Sequence, residues 1–250
     1  MDFEYERILP GISSQLLINL HENELRHWEK PGQLRRAIGP LGVQGILTEP
    51  ILIDTEQKQN LCGVVFTSFG LSAFCETDAI RFTDTIVDAS ELWGSAAIKL
   101  RNRLLKETDQ AQMCRTVEQF LVDRLLARPG SCDILLEILS LLKQGVNVGE
   151  VRSRTGLSQR RIHALFDEHI GVRPKTFERI YRFNSVLIAL PKSEPLTDLA
   201  ISHGYSDQAH LTRDFRRFSG NSPTKHRTVP NENRHAKFSA DNLFKTPKED

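Results

Sequence analysis

Residues 204–227 read GYSDQAHLTRDFRRFSGNSPTKHR, and this stretch decides the fold. Leu211, Phe215 and Phe218 recur at i, i+4 and i+7, which makes one face of a helix apolar. Gln208, Thr212, Arg213, Arg216 and Arg217 fall on its other faces. Packing fixes one side of such a helix and leaves the other free. The free side carries amide, hydroxyl and guanidinium groups, the donors that read base edges and grip phosphates.

The pattern occurs twice. Ile162, Phe166, Gly171 and Pro174 match Leu211, Phe215, Gly220 and Pro223 at a separation of 49 residues, while the turn glycines Gly156 and Gly204 are 48 apart. A unit repeated at this length is one structural device used twice. In each copy a short helix, over 149–155 or 196–203, ends at a glycine that can take the left-handed conformation of a tight turn. A second helix then starts at Ser158, or at Ser206 or Asp207, all good caps. Helix, glycine turn and helix form a helix-turn-helix unit, in which the second helix enters the major groove. Between the copies, Pro174 opens a long helix to about Leu190, with Pro191 as its stop. Phe177, Ile180, Tyr181, Asn184, Leu187 and Ile188 are its expected contacts with both units. A rigid connector fixes the distance between two reading helices, and successive major-groove segments on one face of DNA lie about 34 Å apart.

Charge divides the chain in the same place. The net charge is +1, yet residues 146–228 hold 14 Lys/Arg against 8 Asp/Glu and residues 1–145 hold 15 against 20. One part is suited to meet an anion and the other is not. Within 250 residues, 39% hydrophobic content supports two packed domains. No apolar run reaches the length of a membrane span, and the acidic start differs from a signal peptide, so a cytoplasmic location is expected. Cys62, Cys75, Cys114 and Cys132 lack close pairs and read as reduced structural thiols.

In the first half, short apolar runs at 15–20, 43–47, 51–54 and 61–67 are separated by Pro31-Gly32, Gly39-Pro40 and Glu49-Pro50. Such spacing predicts strands of a small sheet or partial barrel. Helical spacing begins near Phe69, with short turns at 71–75 and 89–93, Ser90 a candidate cap for the latter. Longer helices follow at 95–106, 112–126 and 131–142, with Arg128-Pro129-Gly130 as a stop and Ser131 as a cap. His21 and His27 are the half's only histidines and lack close spacing, so no metal site, no cofactor and no catalytic centre are expected. Trp28, Phe66, Phe69, Phe74 and Trp93 read either as plain core or as the lining of a ligand pocket.

The stretch HGYSDQAHLTRDFRRFSGNSPTKHR, with TGLSQRRIHALFDEHIGVRPKTF upstream, closely resembles the tandem helix-turn-helix domain of AraC/XylS-type transcription regulators. The first half resembles, more distantly, the cupin-like regulatory domain of some members, without strands before Leu9. The resemblance implies an α+β chain of two domains, a small cupin-like β domain with a helical hairpin and then an all-α DNA-binding domain. The expected divisions are a β-rich part at 1–68, a helical regulatory and dimerisation part at 69–145, the two helix-turn-helix units at 146–228 and a disordered tail at 229–250. It also implies double-stranded DNA as partner, together with RNA polymerase, a small-molecule effector and a second copy of the chain.

Residue by residue, the resemblance puts base contacts at Gln159, Arg160 and His163 in the first unit and at Gln208, His210, Thr212 and Arg213 in the second. His210 is equally readable as a partly buried, hydrogen-bonded residue. Arg161, Lys175, Arg216, Arg217 and Lys225 are phosphate candidates, while Ser158 and Ser206 read as caps. Arg213 stands where the family often carries Arg, and its counterpart Ala164 stands where a longer polar residue is common. The second helix is therefore expected to carry more of the specificity, although Ala164 can still touch a thymine methyl. The rival readings are an enzyme built on the β domain and an interaction module with a degenerate DNA-binding part.

Overall fold

The computed structural model describes residues 5–126, 132–190 and 195–227. The expected helix stop at 128–130, the Ser131 cap, the Pro191 stop and the tail at 229–250 lie outside them.

Among the described residues eight strands form two antiparallel four-stranded sheets. β1 (Tyr5–Ile8), β6 (Ile51–Asp54), β3 (Leu25–Lys30) and β4 (Gln33–Ile38) make one sheet in that order. β7 (Leu61–Val65), β2 (Gln15–Asn19), β5 (Leu41–Gln44) and β8 (Ile86–Asp88) make the other. The expected runs at 15–20, 51–54 and 61–67 are strands. The run at 43–47 continues past β5 as buried loop, with Ile46 and Leu47 in the core.

Three strands escape the apolar pattern for physical reasons. β1 precedes Leu9, against expectation, because its inward residue is the buried Glu6, ion-paired to Lys58. β4 exposes five of its six residues and so shows no alternation. β3 alternates correctly but buries His27 among its inward residues. β8 extends the second sheet beyond residue 68.

Against the second sheet pack α1 (Ala89–Trp93), α2 (Ser95–Leu104) and α3 (Gln110–Val122). Leu16, Ile18, Val43 and Phe82 share one core with Leu100, Leu104, Val117 and Phe120. Asp88 caps α1 by accepting from the Ser90 amide at 2.8 Å, so the cap lies two residues before the Ser90 expected from sequence. The five aromatics do not converge on a pocket. Phe66 packs on Phe74, Trp93 on Phe120 and Trp28 on Tyr5, while Phe69 packs against the other core. Among the described residues no group of three His, Cys, Asp or Glu is placed to hold a metal. No described helix is long and apolar enough to cross a membrane. Cys62, Cys75 and Cys114 are free thiols, and burial pushes Cys75 up to about 12.

The second core gathers α4 (Cys132–Lys143), α5 (Val148–Thr155), α6 (Gln159–His169), α7 (Pro174–Ala189), α8 (Leu196–Ser202) and α9 (Gln208–Ser219), and α10 (Pro223–Arg227) sets His226 edge-on against Phe215. Leu135, Ile138, Leu139 and Leu142 of α4 lie in this core, not in that of the β domain. Along α7 the buried ridge is Phe177, Ile180, Phe183 and Val186. Ile188, expected to pack, is 67% exposed. The ridge advances by three residues and turns Ile188 away, because Phe183 rather than Asn184 faces α9. The chain is thus α+β, a two-sheet domain followed by an all-helical one.

Candidate nucleic-acid interface

Each unit is built by its caps. Asn147 opens α5 by accepting from the Glu150 amide at 3.0 Å, and the helix ends at Gly156, whose φ of 68° is the left-handed value. Ser158 opens α6 by accepting from the Arg161 amide at 3.2 Å. In the second unit Gly204 has φ 75°, and Asp207, not Ser206, caps α9 by accepting from the His210 amide at 2.6 Å. That bond is the leading cause of the lowered Asp207 pKa. A carboxylate at a helix N-terminus also opposes the positive end of the dipole.

The apolar faces are fully used. Ile162, Leu165 and Phe166 of α6 and Leu211, Phe215 and Phe218 of α9 are buried to within 1% exposure. Phe166 meets Phe177 edge-on, and Phe183 meets Phe215 and Phe218, so α7 is wedged between the two units. The opposite faces stay open. Gln159, Arg160, Gln208 and Arg213 are exposed, His163 and Thr212 half-buried. Arg161, Lys175, Arg216, Arg217 and Lys225 are exposed as well.

His210 is held differently from the other reading candidates. Its ring meets Tyr205 edge-on at 5.1 Å, its Nδ1 lies 3.2 Å from the Ser206 hydroxyl and its Nε2 lies 4.0 Å from Asp214. Asp214 is itself buried and takes two bonds from Arg179 of α7, at 2.7 and 3.2 Å. The hydrogen bonds to Asp214 raise the Arg179 pKa, and burial pushes the Tyr205 phenol up. Arg182 of α7 donates to the Gly204 carbonyl at 2.7 Å and lies over the Tyr205 ring. This brace was not read from the sequence, although a charged residue set between Leu211 and Phe215 on the apolar stripe is its signal.

Arg173 is a second residue that sequence reasoning missed. With Gln159, Arg160, His163, Ala164 and Asp167 it lines an open cleft of about 610 Å³ beside α6. Its guanidinium pairs with Asp167 at 3.1 Å. Position by position, Asp167 and Glu168 are the counterparts of Arg216 and Arg217. The last turn of α6 is therefore acidic where that of α9 is basic.

The model of a helix-turn-helix domain family matches residues 152–228. A probable transcriptional regulator, LumQ of Photobacterium leiognathi, is 32% identical over 87 residues, 34% of this chain and 35% of that protein. The chain therefore spans about a third of the length of this curated relative. Among solved structures, an AraC-type transcriptional regulator from Chromobacterium violaceum is similar at 21% identity and a TM-score of 0.37, covering 43% of this chain and 96% of that one. Apo ToxT from Vibrio cholerae is similar at 10% identity and a TM-score of 0.48, covering 90% of this chain and 93% of that one. With two matched units, capped helices and a free polar face on each second helix, residues 152–228 of this chain are a helix-turn-helix domain.

Proposed function

We propose that the protein is a sequence-specific DNA-binding transcription regulator that acts in the cytoplasm, with α6 and α9 seated in successive major grooves. The supporting observation is that both second helices bury their apolar stripes on one rigid connector and leave their polar faces open. Gln159, Arg160 and His163 read bases from α6, and Gln208, Thr212 and Arg213 from α9, with His210 bracing α9 from within. Arg161, Lys175, Arg216, Arg217 and Lys225 hold phosphates, and Arg173 joins them. The two-sheet domain senses an effector, pairs with a second copy, or both, and the assembly meets RNA polymerase at the promoter.

The interior between the sheets has a cavity of about 40 Å³, lined in part by Gln15, Leu17, His27, Gln44 and Lys58. That is room for on the order of two or three water molecules. An effector of metabolite size would have to enlarge this cavity or bind elsewhere.

Selection of bound sites from random duplexes by the full chain tests this reading. A recovered site with two reading segments about one helical turn apart supports it. Affinity should fall steeply with salt as phosphate contacts release counterions. No binding even at low salt would instead favour a protein-interaction module.

A further inference from the structure

The 49-residue repeat pairs Gly171 with Gly220, and each follows its reading helix with a left-handed φ, 95° and 72°. The two-sheet domain touches the chain at both places. Thr83, between the second sheet's last two strands, donates its hydroxyl to the Gly171 carbonyl at 2.5 Å. Arg7 of β1 donates from Nη1 to the Ser219 carbonyl at 2.9 Å, beside Gly220. The connector is touched too, since the Asn184 amide donates to the Pro10 carbonyl at 3.1 Å. Ile46 of the β domain is buried within the helical core, with Leu9, Ile12 and Phe69 packed against it.

Space at the first contact is tight. A Cβ on Gly171 would lie 2.7 Å from the Ala79 carbonyl oxygen and 2.8 Å from the Thr83 hydroxyl. At Gly220 it would lie 2.8 Å from the flexible Arg7 guanidinium. The contacts at Gly171 and Gly220 fall at the C-terminal ends of α6 and α9. The residues that would face DNA in the first turns, Gln159, Arg160 and Gln208, remain exposed. The β domain thus grips both reading helices from behind without covering them.

We infer that the β domain is a bracket for DNA reading, with Arg7 and Thr83 as positioning residues that hold the ends of the two reading helices and so fix the spacing of the grooves they can enter. The inference rests on the DNA-binding reading above. The α7 helix joins the two units end to end, and the bracket adds a second, parallel connection that removes the rocking left by a single helix. Two connections make the pair intolerant of a changed spacing on DNA.

The test uses the full chain and sites it has selected from random duplexes. One base pair is inserted between the two reading segments, and affinity is compared for the parent chain, Arg7→Ala, Thr83→Val, the double variant and an Arg115→Ala control. The double variant is expected to lose roughly tenfold less affinity on insertion than the parent does, because two hydrogen bonds no longer oppose the adjustment. The control should behave as the parent. An equal insertion penalty in all chains would overturn the bracket and leave α7 as the sole spacer.

Hydrogen exchange at the Gly171 and Gly220 amides without DNA separates this inference from the reading beneath it. Faster exchange at both glycines in the double variant supports the bracket, and unchanged exchange overturns it. Failure of the parent to select any DNA would remove the DNA-reading role, whatever the exchange shows.

Discussion

Arg179 and Asp214 join the connector α7 to α9 through a bidentate pair, with the carboxylate buried at 3% exposure. Removing the guanidinium leaves a buried charge without its partner, which is costlier than removing both groups. Arg179→Met should destabilise the chain by about 2 kcal/mol, below the full value for a buried pair because Arg179 is partly solvated. Arg179→Met combined with Asp214→Leu should recover much of that loss. Denaturant unfolding of the three variants checks this, and a double variant less stable than the single one would contradict it.

The reading helices should contribute unequally. Arg213→Ala is expected to weaken binding by about 1 to 3 kcal/mol and to relax base preference at one position. Arg216→Ala and Arg217→Ala should weaken binding to all sequences alike and reduce the salt slope by about 1 each. Glu168→Gln should strengthen binding to all sequences slightly, since it removes an acidic group from the last turn of α6. Binding curves on selected and scrambled duplexes at several salt concentrations resolve these cases. A uniform loss for Arg213→Ala would exclude it as a reader.

Two buried groups make the β domain sensitive to acid. Burial pushes His27 down to about 4, with the nearby Arg35 and Arg36 charges acting in the same direction against a side-chain hydrogen bond to Gln44. Its neutral form is favoured in the fold. The stability it contributes is therefore full above the unfolded value of about 6.5 and is lost as pH falls from there to about 4. The loss over that window is about 3 kcal/mol. Burial would raise Asp54, but bonds from Arg26, Trp28 and the Gln57 amide outweigh it and hold the carboxyl at about 2. Its contribution is lost between pH 3.8 and about 2. Unfolding measured across pH should show both windows, and His27→Gln should abolish the first alone.

Two turn glycines that look alike in sequence should respond differently to alanine. At Gly156 nothing lies within 4 Å of an added Cβ, so Gly156→Ala should cost only the left-handed strain, about 1 to 2 kcal/mol. At Gly171 the Ala79 carbonyl is also in the way, and the cost should be about 3 kcal/mol. Thermal or denaturant unfolding of the two variants decides the order.

The helical third was legible from sequence because its determinants are local. Helical spacing, Ser158 and Asp207 as caps, and Gly156, Gly204 and Pro174 as punctuation all act within a few residues of where they stand. The 49-residue offset then required two copies of one unit. Strands β1 and β3 were missed because their polar inward residues, Glu6 and His27, are tolerated only through partners such as Lys58 and Gln44 from distant elements, and β4 because its exposed residues show no alternation.

The tertiary structure alone decided which polar residues on α6 and α9 are free. Gln208, Thr212 and Arg213 were legible as an open face from spacing, whereas His210 is tied to Tyr205, Ser206 and the Asp214–Arg179 pair by chain folding back from α7. By itself the sequence determined that two matched helices exist and which faces they bury. Only the fold decided that α4 belongs to their core and that Arg7 and Thr83 reach the glycines behind them. Helix periodicity and capping are short-range, whereas a contact such as Arg7 to Ser219 joins residues 212 positions apart and exists only once both domains have packed.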